Sequence, residues 1–164
     1  MTTSINLPER YNASTTFLDA NLQAGRGNKA AVLYGDQSFT YGEIATMANR
    51  VGNALTKLDV QMEQRVMLLL LDCPEYAASY FGAIRTGAIP IPTNTLLKSP
   101  DYEYLLNDSR ATLLIVSEPL YASVEPIRKN LKWLKHIIVV GNPIPGTINF
   151  PLIFSRRDRG RRRI

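Results

Sequence analysis

Few side chains in this sequence are of a type that does chemistry, and they are scattered. The single cysteine, Cys73, directly precedes Pro74 and Glu75. At the start of a helix a thiol can be acidified by the helix dipole and turned into a nucleophile. Here it reads as a turn residue at a helix start, with the reactive thiol as the alternative. The single histidine, His136, has no cysteine, histidine or acidic cluster around it at metal-ligand spacing. It reads as a surface histidine at a strand start and not as a ligand or base. Gly25-Arg26-Gly27 is a partial match to a phosphate loop, but no apolar strand leads into it, so it reads as a helix stop plus turn. The sequence has no paired-carboxylate constellation and no nucleophile with a base. By themselves these residues establish no active site.

Charge narrows the function classes. The formal net charge is +5, and the segment Ser155 to Ile164, SRRDRGRRRI, holds six arginines and one aspartate. Residues 1–154 therefore carry thirteen basic and thirteen acidic side chains. A neutral body has no compositional bias toward nucleic acid, and all the excess basicity sits in the tail. The 164 residues suffice for one domain with a real core. No apolar run approaches the ~18 residues that span a bilayer, and the opening residues lack a basic stretch followed by an apolar one. One cysteine precludes an intramolecular disulfide. The expectation is a cytoplasmic protein with no membrane association.

The elements that must position any site are clear in the middle of the chain. Val66 to Leu71 is six consecutive apolar residues, too short for a buried helix and suited to a strand covered on both faces. Pro74 and Glu75 open a helix, the proline where a missing N–H is harmless and the glutamate where the dipole favours negative charge. Ala77, Phe81 and Ile84, widened by Tyr80, form its apolar stripe, and Gly87 stops it. Ala88 to Pro92 is extended again. Pro90 and Pro92 cannot donate ladder bonds, so this strand is short or lies at a sheet margin. Strand, helix and strand make a right-handed βαβ unit.

On the N-terminal side, Thr15 or Thr16 can cap a short helix carrying Phe17, Leu18 and Leu22. Ala30 to Tyr34 and Ser38 to Tyr41 form a hairpin about Gly35-Asp36. Thr40-Tyr41-Gly42-Glu43 is a capping box, and Ile44, Ala48, Val51, Leu55 and Leu58 make one apolar stripe behind it. On the C-terminal side, Ser99 caps a helix with Pro100 at its first position and Tyr102, Leu105 and Leu106 inward. Ala111 to Val116 is a strand. Ser117 to Pro119 opens one further helix, with Leu120, Val124, Ile127, Leu131 and Leu134 inward, and His136 to Val140 is a further strand. Alternation of strands and helices from 65 to 140 predicts an α/β fold with a mostly parallel sheet and flanking helices.

The order of these pieces resembles the acyl-adenylate-forming superfamily: AMP-forming acyl-CoA synthetases, peptide-synthetase adenylation domains and luciferases. The resemblance rests on Thr40 to Glu43, Val66 to Leu71, Pro74-Glu75, Gly87 to Pro92, Asn94, and Asp108 to Ala111. The stretches NLPERYNASTTFLDANLQAGRGNKAAVLYG and TNTLLKSPDYEYLLNDSRA are similar to benzoate- and hydroxybenzoate-CoA ligases. It runs from about Asn6 to about Pro151. It implies that residues 1–154 are a truncated N-terminal AMP-binding domain of the adenylate-forming fold.

The reaction implied has two steps. A carboxylate, here that of an aromatic acid, attacks the α-phosphate of ATP to give an acyl-adenylate and pyrophosphate. The thiol of CoA then displaces AMP. Both steps build negative charge on oxygen, and the family meets it with Mg²⁺, a lysine and a phosphate-cradling loop. The family's Thr-Ser-Gly-Thr-Thr-Gly-x-Pro-Lys loop does not occur in this sequence. The expectation is therefore a fragment inactive alone and without tight ATP, Mg²⁺ or CoA binding. After the Gly-Ala-x-Pro-x-Pro strand, the family's loop can approach the nucleotide end of CoA. Here it reads Asn94-Thr95-Leu96-Leu97-Lys98-Ser99, with leucines where some aryl ligases place an arginine. Lys98 is the one candidate contact, a point charge for a CoA phosphate. The alternative is a solvated lysine before a helix cap.

The tail at 155–164 breaks composition abruptly, as a shifted reading frame or truncated gene model would; a basic arm that binds nucleic acid is the rival. Two other functions stay open at this stage: a non-catalytic α/β binding or interaction domain, and a nucleic-acid binder acting through the tail.

Overall fold

The computed structural model describes residues 8–9 and 11–151. The Arg-rich tail at 155–164, and the boundary expected at 154, lie outside the described residues. A five-stranded, all-parallel sheet forms the centre, in the order β4-β3-β5-β6-β7. Its strands are β3 (Arg65–Leu69), β4 (Ile89–Pro92), β5 (Leu113–Ser117), β6 (His136–Val140) and β7 (Ile148–Asn149). A separate antiparallel hairpin pairs β1 (Ala30–Tyr34) with β2 (Gln37–Thr40). Helices α2 (Tyr41–Lys57) and α3 (Pro74–Arg85) cover one face of the sheet. Helices α4 (Ser99–Asp108) and α5 (Glu118–Tyr121), with a 3₁₀ turn at Glu125–Asn130, cover the other. Among the described residues no helix is long and apolar enough to cross a membrane.

The strand alternation of β3 divides the core. Val66, Leu68 and Leu70 pack with Val51, Leu55, Ala78, Leu113, Ile115 and Ile138 on the first face. Met67 and Leu69 pack with Tyr102, Leu106, Leu114, Val116 and Val139 on the second. This is the doubly covered strand that the uninterrupted apolar run predicts. Each fully buried Leu, Val or Ile contributes about 1.5–3 kcal/mol from apolar burial. A third cluster, Leu18, Ile44, Ala45 and Ala48, joins the hairpin and the N-terminal helical segment to α2.

The capping box forms. The Glu43 N–H donates to Thr40 Oγ1 at 3.2 Å, and the Thr40 N–H donates to Glu43 Oε2 at 2.8 Å. These hydrogen bonds hold the Glu43 carboxyl below the usual carboxylate range. Behind the box, Ile44, Ala48, Val51 and Leu55 are buried as their spacing predicts, with Leu58 partly so.

Four expectations need correction. In α3 the buried face is Ala78, Ser79, Gly82 and Ala83, while Ala77, Tyr80, Phe81 and Ile84 are only half-buried. The cause is the closeness of α2. A Cβ on Gly82 would stand 2.8 Å from both the Ala48 carbonyl oxygen and Val51 Cβ. Only small side chains fit that seam, so the large ones move to its rim, where Phe81 meets Tyr80 edge-on at 5.5 Å and Phe17 at 6.3 Å. Second, the single helix expected after Ser117 is two short pieces, α5 and the 3₁₀ turn. Pro126 cannot donate the backbone bond a continuous helix needs there. Val124, Ile127 and Leu131 still face the core. Third, the N-cap of α4 is Lys98, not Ser99; its N–H donates to the Asp101 carboxylate at 3.0 Å. Fourth, the N-terminal helical segment already begins at residue 13, ahead of a π turn at Thr15–Asp19 and α1 (Ala20–Gln23), so neither Thr15 nor Thr16 caps it. Asn12 Oδ1 accepts from the Ser14 N–H at 3.0 Å. Beyond these corrections the sheet gains β7, a two-residue strand that no apolar run announces.

Candidate functional site

In open α/β sheets, ligands bind beyond the carboxyl ends of the strands, where successive connections leave in opposite directions. Here that point lies between β3 and β5. The connection from β3 leads through α3 to β4 on one side, and the next leads through α4 to β5 on the other. The residues at this edge are Leu71, Asp72 and Cys73 after β3, Ser117 and Glu118 at the end of β5, and Gly141 and Asn142 after β6.

The strand ends are tied to one another. The Leu71 N–H donates to Ser117 Oγ at 2.9 Å, bridging β3 and β5 at the switch point itself. The Asn142 N–H donates to Glu118 Oε2 at 2.9 Å, linking the ends of β5 and β6. Asn149 Nδ2 donates to the Gly141 carbonyl at 2.9 Å, linking β6 to β7. Gly141 has φ 128°, and a Cβ there would lie 2.7 Å from Glu118 Cβ, so this approach requires glycine. Ser117 is 5% exposed. The strand ends at the usual entry of the fold are thus tied together by the protein's own hydrogen bonds, while Leu71, Asp72, Gly141 and Asn142 remain exposed.

Beside it, the loop after β4 is held from beneath. The hydroxyl of Tyr102, a residue only 1% exposed, donates to the Asn94 carbonyl at 3.0 Å. Asn94 Oδ1 accepts from the Leu96 N–H at 2.9 Å, closing a tight turn. Burial raises the Tyr102 phenol above its ordinary range, so it stays a donor across the physiological range. On this support Leu96 stands 87% exposed and Lys98 is exposed at the N-cap of α4. The expected Lys98 thus sits on a preorganised loop at the carboxyl end of the margin strand.

The other chemical candidates stay apart from this loop. Burial, with a smaller contribution from the Glu75 carboxylate, pushes the Cys73 thiol up to about 11. It is a protonated thiol at neutral pH, in line with the turn reading; burial outweighs the helix dipole. His136 begins β6, so it lies at the amino end of the sheet, away from the loop. Gly25-Arg26-Gly27 follows α1 as a turn: Gly25 has φ 74°, and Arg26 Nε donates to Asn21 Oδ1 at 2.8 Å. Among the described residues no group of three or more His, Cys, Asp or Glu could hold a metal ion. Ser117 is the residue sequence reading missed as a part of this edge. It stands directly after an apolar strand run, the one signal that could have marked it, and it reads there as the start of a helix.

Known proteins share this layout. A family model described as AMP-binding enzyme matches residues 19–149. A benzoate–CoA ligase of Thauera aromatica is 41% identical over 139 residues, 84% of this chain and 26% of that enzyme. A 4-hydroxybenzoate–CoA/benzoate–CoA ligase of Rhodopseudomonas palustris is 35% identical over 150 residues, 92% of this chain and 28% of its own. The crystal structure of the anthranilate CoA ligase AuaEII in complex with anthranoyl-AMP superposes with a TM-score of 0.86 at 43% identity. That superposition covers 90% of this chain and 28% of the ligase. The chain therefore spans about a quarter of the length of the curated relatives it matches. The family model takes in the hairpin, both sheet faces and the loop that carries Lys98, and by that match the chain belongs to the AMP-binding enzyme family.

Proposed function

We propose that this chain is the opening portion of an AMP-forming aryl-acid–CoA ligase of the benzoate type. The observation that carries this reading is the run of likeness to aryl ligases through the βαβ unit and the loop after it. The whole enzyme would use an aromatic carboxylic acid, ATP and CoA. In the first step the carboxylate oxygen forms a bond to the α-phosphorus, and the bond to the pyrophosphate oxygen breaks. In the second the CoA sulfur forms a bond to the acyl carbon, the bond to AMP breaks, and the thiol proton leaves.

This chain's share is to build one parallel sheet and to hold the loop at Asn94–Ser99 in place. Lys98 would meet a CoA phosphate as a point charge at the end of that loop. Neither the acid pocket nor the phosphate loop is assigned to residues of this chain. Among the described residues no group of three or more His, Cys, Asp or Glu could hold Mg²⁺. An intracellular aromatic-acid metabolism follows from this reading, with a reducing cytoplasm suited to the thiol at Cys73.

A chimera tests the proposal. Residues 11–151 replace the corresponding opening segment of the Thauera aromatica benzoate–CoA ligase, and benzoate-dependent pyrophosphate exchange and benzoyl-CoA formation are measured. Retention of both activities is expected. A folded chimera, with a cooperative melt, that exchanges no pyrophosphate would overturn the reading.

A further inference from the structure

β4 is an edge strand of the sheet among the described residues. Edge strands present unpaired N–H and C=O groups, and these recruit strands from other chains. In β4 the donors that face β3 are identified by their bonds. The Ile89 N–H donates to the Gln64 carbonyl at 2.9 Å, and the Thr93 N–H donates to the Leu68 carbonyl at 3.0 Å. Strand geometry has a period of two, so the Ile91 N–H also points at β3. The positions between them, whose N–H groups would point outward, are Pro90 and Pro92, paired in register with Val66 and Leu68. Neither has an N–H. The outer side of β4 therefore offers carbonyl acceptors and, over the whole strand, no donor.

We infer that β4 is a sealed edge: its two prolines occupy the outward-facing donor positions and prevent a second copy of this chain, or any other strand, from extending the sheet. A strand laid along β4 would find acceptors for its own N–H groups, but its carbonyls facing Pro90 and Pro92 would lose water and gain no partner, which is unfavourable. The alternation matters. Prolines at 89 or 91 would have broken the bonds to β3 and left the outer donors in place. The surroundings make such a seal useful, because Ile89 is 45% exposed on this strand and Leu96 is 87% exposed just beyond it. Exposed apolar side chains beside an open ladder are the combination that aggregates. This inference goes beyond the ligase reading and does not depend on it.

The test restores the donors. The Pro90→Thr/Pro92→Thr double variant is compared with the native chain and with Pro119→Thr, an exposed proline away from the edge, by sedimentation velocity over a wide range of concentrations. The double variant is expected to self-associate about tenfold or more tightly than both controls, as one or two regained ladder bonds would give. A folded double variant that sediments as the native chain does overturns the inference, and so does a native chain that associates as strongly as the variant. A Pro92→Ala variant provides the second arm, which decides alone if the double variant fails to fold. By amide hydrogen exchange, the new N–H at position 92 should exchange as an unprotected amide while Ile91 and Thr93 stay protected. Protection of that new amide in the monomer would show that the outward side is not where the prolines stand.

Discussion

The amide of Leu71 and the hydroxyl oxygen of Ser117, 46 residues apart in sequence, meet at 2.9 Å across the ends of the two strands that flank the fold's switch point. With the Glu118–Asn142 and Asn149–Gly141 bonds, this contact ties together the strand ends at which parallel α/β sheets ordinarily take their ligands. Ser117→Ala removes the acceptor and leaves a part-buried amide unpaired. The expected cost is about 1–2 kcal/mol of unfolding free energy, read from the denaturant midpoint, together with faster hydrogen exchange at the Leu71 amide. An unchanged midpoint and an unchanged Leu71 amide would mean that the contact does not form in solution.

The seam between α2 and α3 is expected to be intolerant of a single methyl. Gly82→Ala places a Cβ 2.8 Å from the Ala48 carbonyl oxygen and 2.8 Å from Val51 Cβ, neither of which is the end of a flexible side chain. Alanine gains about 1 kcal/mol of helix propensity over glycine, and overpacking costs about 1–3 kcal/mol. The net expectation is a lower thermal midpoint. A raised midpoint would show that the helices stand further apart than described.

Cys73 is expected to be a slow nucleophile. With its thiol pushed to about 11 by burial, native protein near pH 8 should react with iodoacetamide at least about tenfold more slowly than the unfolded chain, since only the thiolate attacks. The stability linkage has a definite sign. The folded state holds this proton more tightly than the unfolded state, so the contribution is intact below the ordinary thiol value of 9.0. It is lost as pH rises from there through about 11. Equal alkylation rates in native and unfolded protein would remove the basis for this.

Legibility in the sequence followed how local the physics was. The capping box at Thr40 and Glu43, the stripe from Ile44 to Leu55 and the doubly buried β3 each depend on a few neighbouring residues, and each is where its spacing puts it. Pro90 and Pro92 marked a strand at the sheet margin among the described residues, because a proline's missing donor constrains the ladder wherever it stands. The buried face of α3 was not legible, because periodicity finds where large apolar residues recur and this helix buries its small ones against α2. Ser117 shows the same limit at the candidate site. Its hydroxyl has the chemistry of a helix cap, yet it accepts from an amide that the sequence places far away. The loop at Lys98 was recognisable through its family likeness, but its support, the Tyr102 hydroxyl on the Asn94 carbonyl, is a tertiary contact.

Lys98 carries a prediction of its own within the chimeric ligase. Lys98→Ala should raise the KM for CoA several-fold, by loss of one exposed charge contact to phosphate, and leave benzoate-dependent pyrophosphate exchange unchanged. Steady-state kinetics of the two half-reactions separate the effects. An unaltered KM for CoA would leave Lys98 as a solvated residue before a helix cap.

The most direct measurement is acid-dependent exchange of labelled pyrophosphate into ATP by the pure 164-residue chain, with benzoate and its hydroxylated analogues as acids. No exchange above the protein-free background is expected, because this polypeptide supplies a sheet and a loop and has no phosphate-cradling motif. Exchange that requires both the acid and the intact chain would contradict the account.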